Sequence, residues 1–270
     1  MPDFSFVKVE DTHKAIKATK NTVPKTIEAI DSIVSSTVNI LGFLPNTINE
    51  YMKSRLEKTK TKLDQKLNDL PPDKIVTPPV HIAAPALQAA CHAADCDELH
   101  SMFADLLASA MNADKQALVH PAFIEIIKQL SPEEAKIISQ NSFINKSVFP
   151  ICTIRMQEKS TPHSLGNDFR MSIKGVDLFK NIAIYEAISD TKSIDFQKIS
   201  SISDNLSRLQ IILIHSGLYI TDPKQYDALL AVYKSFANTH SAPPNLEIAF
   251  IPMTAEITAF GKQFIQACVL

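Results

Sequence analysis

The chain has 270 residues, 45% of them hydrophobic and 21% charged, enough to bury a sizeable core and to hold two domains. Five glycines and no tryptophan, with no G-x-G-x-x-G or Walker run, exclude a glycine-rich phosphate-binding turn as an organising feature. A formal net charge of −2 removes the positive field on which nucleic-acid binding usually rests.

Residues 1–80 read as a helical arm. Pro24 starts a helix whose apolar stripe is Ile27, Ile30, Val34, Val38 and Leu41, and Gly42 with Pro45 ends it. Asn46 caps a second helix that runs to about Leu70. Its seam is sparse, with Leu56, Leu63 and Leu70 on a seven-residue repeat among lysines and acids. Such a pair suits a hairpin used for self-association or for docking a protein partner. The competing use of the stripe, with Ile30, Val34 and Leu63 as the named positions, is peripheral contact with the inner membrane. The N-terminal run MPDFSFVKVEDTHK has no apolar signal core, and no apolar run reaches the ~20 residues that span a bilayer, so a cytoplasmic protein is expected.

A linker marked by Pro71-Pro72 and Pro78-Pro79 is biased toward extended backbone. Beyond it, residues 81–130 form a helical block. His92, Cys96 and His100 are spaced by four, which one continuous helix would gather on a single face. The run Ala94-Asp95-Cys96-Asp97 reads instead as a helix break with a new cap, and the spacing matches no zinc motif. No metal and no cofactor are expected. The next helix carries Leu99, Phe103, Leu106, Leu107 and Ala110 at helical period. His120-Pro121 opens another, where proline loses only a donor that would be orphaned anyway. Ser131-Pro132-Glu133-Glu134 opens a third, with Ser131 and Glu134 placed as a capping box.

Three motifs in this block are distinctive: F-x-x-L-L-A-S-A-M over Phe103–Met111, V-H-P-x-F over Val119–Phe123, and Q-L-S-P-E-E-A-K over Gln129–Lys136. Together they resemble the bacterial abortive infection alpha family. The resemblance implies a role in phage defence and carries no established chemistry. It draws attention to His120, Pro121 and Phe123 without giving them a role. A general base at His120 would need a nucleophile or carboxylate partner, and no second motif supplies one.

In the C-terminal part, Val148–Met156 reads as a short or edge strand because it contains a proline. Residues 157–195 read as irregular, with a weak helical stretch over 176–188. A helix is expected over Ile199–Ile214, a strand over Gly217–Ile220, a polar helical excursion, a second strand over Ile248–Ile257, and a closing helix. That order over residues 131–270 resembles a winged helix-turn-helix module. Such modules read DNA through the third helix, which here offers Asn205, Arg208 and Gln210. Residues 131–270 carry thirteen Lys/Arg against thirteen Asp/Glu, so they lack the surplus charge that phosphate contacts require. DNA binding is therefore not expected.

The reading is a mainly α, α+β protein. A helical N-terminal arm (1–80) and a helical central block (81–130) precede a winged-helix-like module (131–270). The expected function is phage defence of the abortive-infection type through protein–protein contacts. The alternatives are a membrane-active effector using residues 24–70 and a winged-helix DNA-binding regulator using Arg208. Enzymatic activity is the least supported, because no nucleophile–base–acid set emerges.

Overall fold

The structure is a computed structural model and describes residues 46–159, 175–185 and 195–270. The expected helix over 24–44, with Ile30 and Val34, lies outside them. The chain divides into two compact units, residues 1–93 with 103–124, and residues 94–102 with 125–270. The fold is α+β, with nine α-helices and four strands among the described residues.

In the first unit, α1 (Asn46–Asn68) and α2 (Val80–His92) pack on each other. The buried face of α1 is Leu56, Thr59 and Leu63, at 2%, 0% and 1% exposure, successive positions of one helical stripe. Helix α2 presents Ile82, Ala83, Ala86, Leu87 and Ala90; its alanines allow close backbone approach. The Arg55 guanidinium donates to the Ala93 carbonyl just past α2, satisfying an acceptor that a helix end leaves open, and stacks 3.7 Å over the Tyr51 ring. The proline-marked linker is extended and paired. Val76 N–H donates to Met111 C=O at 2.8 Å, Ala113 N–H donates to Lys74 C=O at 2.9 Å, and Ile75 bridges Asn112. These bonds tie it to the turn after α3 (Asp97–Ala110).

The second unit holds α4 (Ala122–Gln129, from residue 125), α5 (Pro132–Ile138) and α6 (Asn141–Ile144). They lead into β1 (Val148–Glu158), β2 (Gly175–Ile182), α7 (Phe196–Arg208) and β3 (Ile212–His215). Helix α8 (Asp227–Thr239), β4 (Leu246–Ile257) and α9 (Ala259–Cys268) complete it. The sheet is antiparallel, in the order β2-β1-β4-β3. The strand expected over Val148–Met156 is thus central and longer, and the strand expected over Ile248–Ile257 is the other central strand of a four-stranded sheet.

Register explains where the prolines sit. Ile257 N–H donates to Ser147 C=O and Lys159 N–H to Asn245 C=O. Odd-numbered residues of β1 and β4 therefore bond to each other, and even-numbered ones face outward. Pro150 and Pro252 are both even. The missing donor of Pro150 falls beyond the last β2 pair, Cys152 with Ile182, and that of Pro252 falls beyond the last β3 pair, Thr254 with His215. Each proline removes a hydrogen bond that has no partner strand to receive it.

Cross-strand neighbours share a face, so Phe250, Ile154 and Phe179 lie in one row. Helix α8 covers that row, with Tyr233 against Phe250 at 5.5 Å and Phe236 against Phe179 at 5.5 Å. On the other face, Phe149 meets Phe143 at 5.9 Å and Tyr185 at 6.3 Å.

Two expectations are corrected here. Residues 175–182 form strand β2, not helix, because the even-numbered side of β1 provides an edge for them. Helix α7 stops at Arg208 and β3 begins at Ile212, so no helix reaches Ile214 and no strand covers Gly217–Ile220. Gln210 takes a left-handed backbone with φ of 60°, which ends the helix, and the β-branched run that follows joins the sheet. Gly217, at φ of 93°, then turns the chain off the sheet.

Thr258 caps α9, its Oγ accepting from Gly261 N–H at 2.8 Å and donating to Gln210 C=O at 2.5 Å. A Cβ on Gly261 would stand 2.2 Å from the Ile211 carbonyl oxygen. Alanine in a helix interior normally gains about 1 kcal/mol over glycine. Here overpacking reverses the sign, so Gly261→Ala should lower stability by about 1–3 kcal/mol, read from the urea midpoint.

Candidate functional site

The most elaborate polar arrangement in the second unit is built on the start of α5. Ser131 Oγ accepts Glu134 N–H at 3.2 Å, and Glu134 Oε2 accepts Ser131 N–H at 2.7 Å. The other oxygen of Glu134, a residue 4% exposed, accepts from the Asn205 amide of α7 at 2.8 Å. Asn205 Oδ1 in turn accepts from Arg208 Nε at 3.1 Å and from a terminal guanidinium nitrogen at 2.6 Å. The remaining terminal nitrogen donates to Gln129 Oε1 at 2.8 Å. Lys198 donates to Glu133 at 2.8 Å, a bond that holds the Glu133 carboxyl below its ordinary value. One side of α7 is thereby fastened to the α4–α5 corner.

Behind this corner the Tyr185 hydroxyl lies 3.0 Å from Ser203 Oγ. Burial pushes the phenol up, so it is a poor acid at neutral pH, and the pair amounts to a satisfied internal hydrogen bond. A serine nucleophile needs a base that takes its proton, and this pair does not supply one. The neighbouring cleft, lined by Ile137, Phe143, Phe149, Ile184, Tyr185 and the Lys146 rim, has a volume of about 30 Å³. That is room for about one water, well below a substrate.

His120 caps α4: its Nδ1 accepts Ala122 N–H at 3.1 Å, and its ring sits 5.9 Å from Phe123, which is fully buried. Pro121 is exposed beside it. Leu63 is buried in α1. Helix α2 ends at His92 and α3 begins at Asp97, so His92, Cys96 and His100 are not on one continuous helix. Cys96 Sγ donates to Glu98 at 3.0 Å. Among the described residues, no three His, Cys, Asp or Glu side chains are placed to hold a metal ion. Burial pushes the Cys91 thiol up to about 11 and that of Cys152 to about 12, which leaves both as inert thiols rather than nucleophiles.

Sequence reading did not single out Asp105, Gln129, Tyr185, Lys198 or Ser203. Their partners lie far along the chain, 79 residues for Arg208 with Gln129 and 65 for Lys198 with Glu133, so no local spacing marks them. Asp105 is the least expected of them. It is 7% exposed and pairs with Lys66 of α1. Burial raises its carboxyl above the ordinary value, and the bond to Lys66 pulls in the opposite direction without prevailing.

The described residues define an α+β protein in which a polar network from Ser131 and Glu134 through Asn205 and Arg208 to Gln129 joins α7 to the α4–α5 corner. The chain belongs to the family described as abortive infection alpha, whose model matches residues 52–268. Neither the curated proteins nor the solved structures gave a match.

Two outcomes follow from these sites. Asp105 titrates above its ordinary 3.8 when folded. Its contribution to stability is therefore full below that value and is lost as pH rises through the raised one. Asp105→Asn should leave the urea midpoint at pH 7 unchanged or higher, and the gain should vanish in acid. Glu134→Ala removes the side-chain half of the capping box, the bond from Ser131 N–H, together with the acceptor of Asn205, and should cost about 1–3 kcal/mol in the same measurement.

Proposed function

We propose that the chain is a phage-defence protein of the abortive-infection type that works through contacts with other proteins. Family membership supports the defence context. The observation that carries the mode of action is the state of Asn205 and Arg208. Reading a base edge requires a free amide or guanidinium fork. Here Asn205 is bonded to Glu134, and Arg208 is bonded to Asn205 and Gln129. Using them on DNA would first break the corner that positions α7. The helix–strand–strand order of α7, β3 and β4 is in keeping with a winged-helix module put to a non-DNA use. Exposed apolar side chains at Val148, Leu213, Leu218 and Tyr219 supply the kind of surface that proteins bury against one another. No helix among the described residues is long and apolar enough to cross a membrane.

The intact native locus should cut plaque counts on a susceptible host, and a locus encoding Glu134→Ala should lose that effect. The purified protein should show no salt-sensitive shift of duplex DNA. Equal plaque numbers with and without the locus, across a broad phage panel, would sink the defence reading. A nanomolar shift abolished by Arg208→Ala would replace the protein-contact reading with a DNA-binding one.

A further inference from the structure

We propose that the open edge of β4 pairs with the same edge of a second copy of this chain, antiparallel about a two-fold axis at Phe250. The inference deepens the protein-contact reading and rests on it for its relevance to function, but its geometry stands separately. Strand β3 covers only Thr254–Ile257 of β4. At the other end the outward N–H of Leu246 is taken by Pro243 C=O at 2.9 Å, so it offers no donor on that edge. Among the described residues the free stretch between is 247–253, and its midpoint is Phe250.

The outward groups on that stretch belong to the even-numbered residues. Among the described residues, the N–H of Ile248, both main-chain groups of Phe250 and the C=O of Pro252 have no hydrogen-bond partner. The C=O of Ile248 already accepts from the Tyr233 hydroxyl at 2.6 Å, and Pro252 has no N–H to give. A two-fold at Phe250 sets Phe250 against Phe250 and Ile248 against Pro252 of the second copy. Phe250 then exchanges both its groups with its counterpart, and Ile248 N–H meets the Pro252 carbonyl. The donor that Pro252 lacks is the one Ile248 C=O no longer needs, because Tyr233 fills it. Each open group is used once.

Shifting the register by one pair in either direction matches the groups less well. One shift makes Phe250 N–H share the Ile248 carbonyl with the Tyr233 hydroxyl. The other sets Phe250 C=O against the donorless proline. The matched register is also the one centred in the free window, although the window's limits come from β3 and from the Pro243 turn rather than from Tyr233 or Pro252.

The side chains agree with the backbone. Exposed edges in monomers are usually guarded by charge; in 247–253 the charge is confined to Glu247 at one end, whose carboxylate accepts from Gln157 at 3.0 Å, and Ile248 to Met253 carry none. Leu218 and Tyr219, 58% and 65% exposed, follow β3 just past the Gly217 turn. Proline at 252 and the tyrosine on 248 turn away strands in other registers. Pairing would join two four-stranded sheets into one of eight.

The test uses the full chain in sedimentation equilibrium across a concentration series. The protein should sediment as a dimer, and Ile248→Lys should weaken dimerisation at least about tenfold, as a gatekeeper charge on an edge does, while its circular dichroism remains that of the folded chain. Phe250→Cys, on the axis, should cross-link to its counterpart under mild oxidation, the natural thiols being buried. A wild-type monomer throughout the range would overturn the proposal. So would a dimer indifferent to Ile248→Lys in which Cys at 250 fails to cross-link. A monomer that still restricts phage would remove the edge pairing alone, whereas a dimer with no effect on phage would remove the defence reading alone.

Discussion

The pairing of β1 with β4 over 11 residues is the constraint on which the rest of the second unit depends. It fixes which backbone groups look outward, and so where β2 and β3 can attach and where a proline is harmless. It also sorts the side chains. Even positions carry Ile154 and Phe250 to the side that α8 covers, while odd positions carry Phe149 and Ile151 to the opposite side. A slip of one residue would send both sets to the wrong face. Gln157 with Glu247 reinforces this register, and Arg155 with Asp177 that of β1 with β2.

Much of the helical framework was legible because its signals are local. Ser131 and Glu134 are three residues apart, and the reciprocal bonds of a capping box need nothing from elsewhere. His120 before Pro121 is placed in the same way, and Pro71 to Pro79 announces extended backbone without saying what it pairs with. The sheet was harder to read. Residues 175–182 show no clean alternation, and only the unsatisfied side of β1 makes them a strand. The end of α7 depends on a left-handed glutamine, a residue type that gives no warning of it.

The polar corner was legible only in part. Asn205 and Arg208 stood out as the polar outer positions of a third helix, but whether such positions face solvent or a neighbour depends on what packs beside them. Gln129 and Glu134 are brought there by the tertiary fold. Asp105 is hidden for a related reason, since a lone acid among apolar residues on a helix is normally solvated. Leu63 illustrates the converse. Its seam looked narrow because Thr59 and Arg55 were counted as polar, whereas both are buried and complete the face.

The two strands that organise the second unit are joined by contacts roughly 100 residues apart in sequence. Closing so long a loop costs entropy before any ladder bond repays it, which makes assembly of this unit slow compared with the local helices around it. During synthesis β1 emerges well before its central neighbour exists, and Phe149, Ile151 and Ile154 must wait without cover. A chain that stops short of Ile257 lacks part of the ladder that β1 needs, so a stretch made roughly 100 residues later decides how well the earlier one is protected from aggregation.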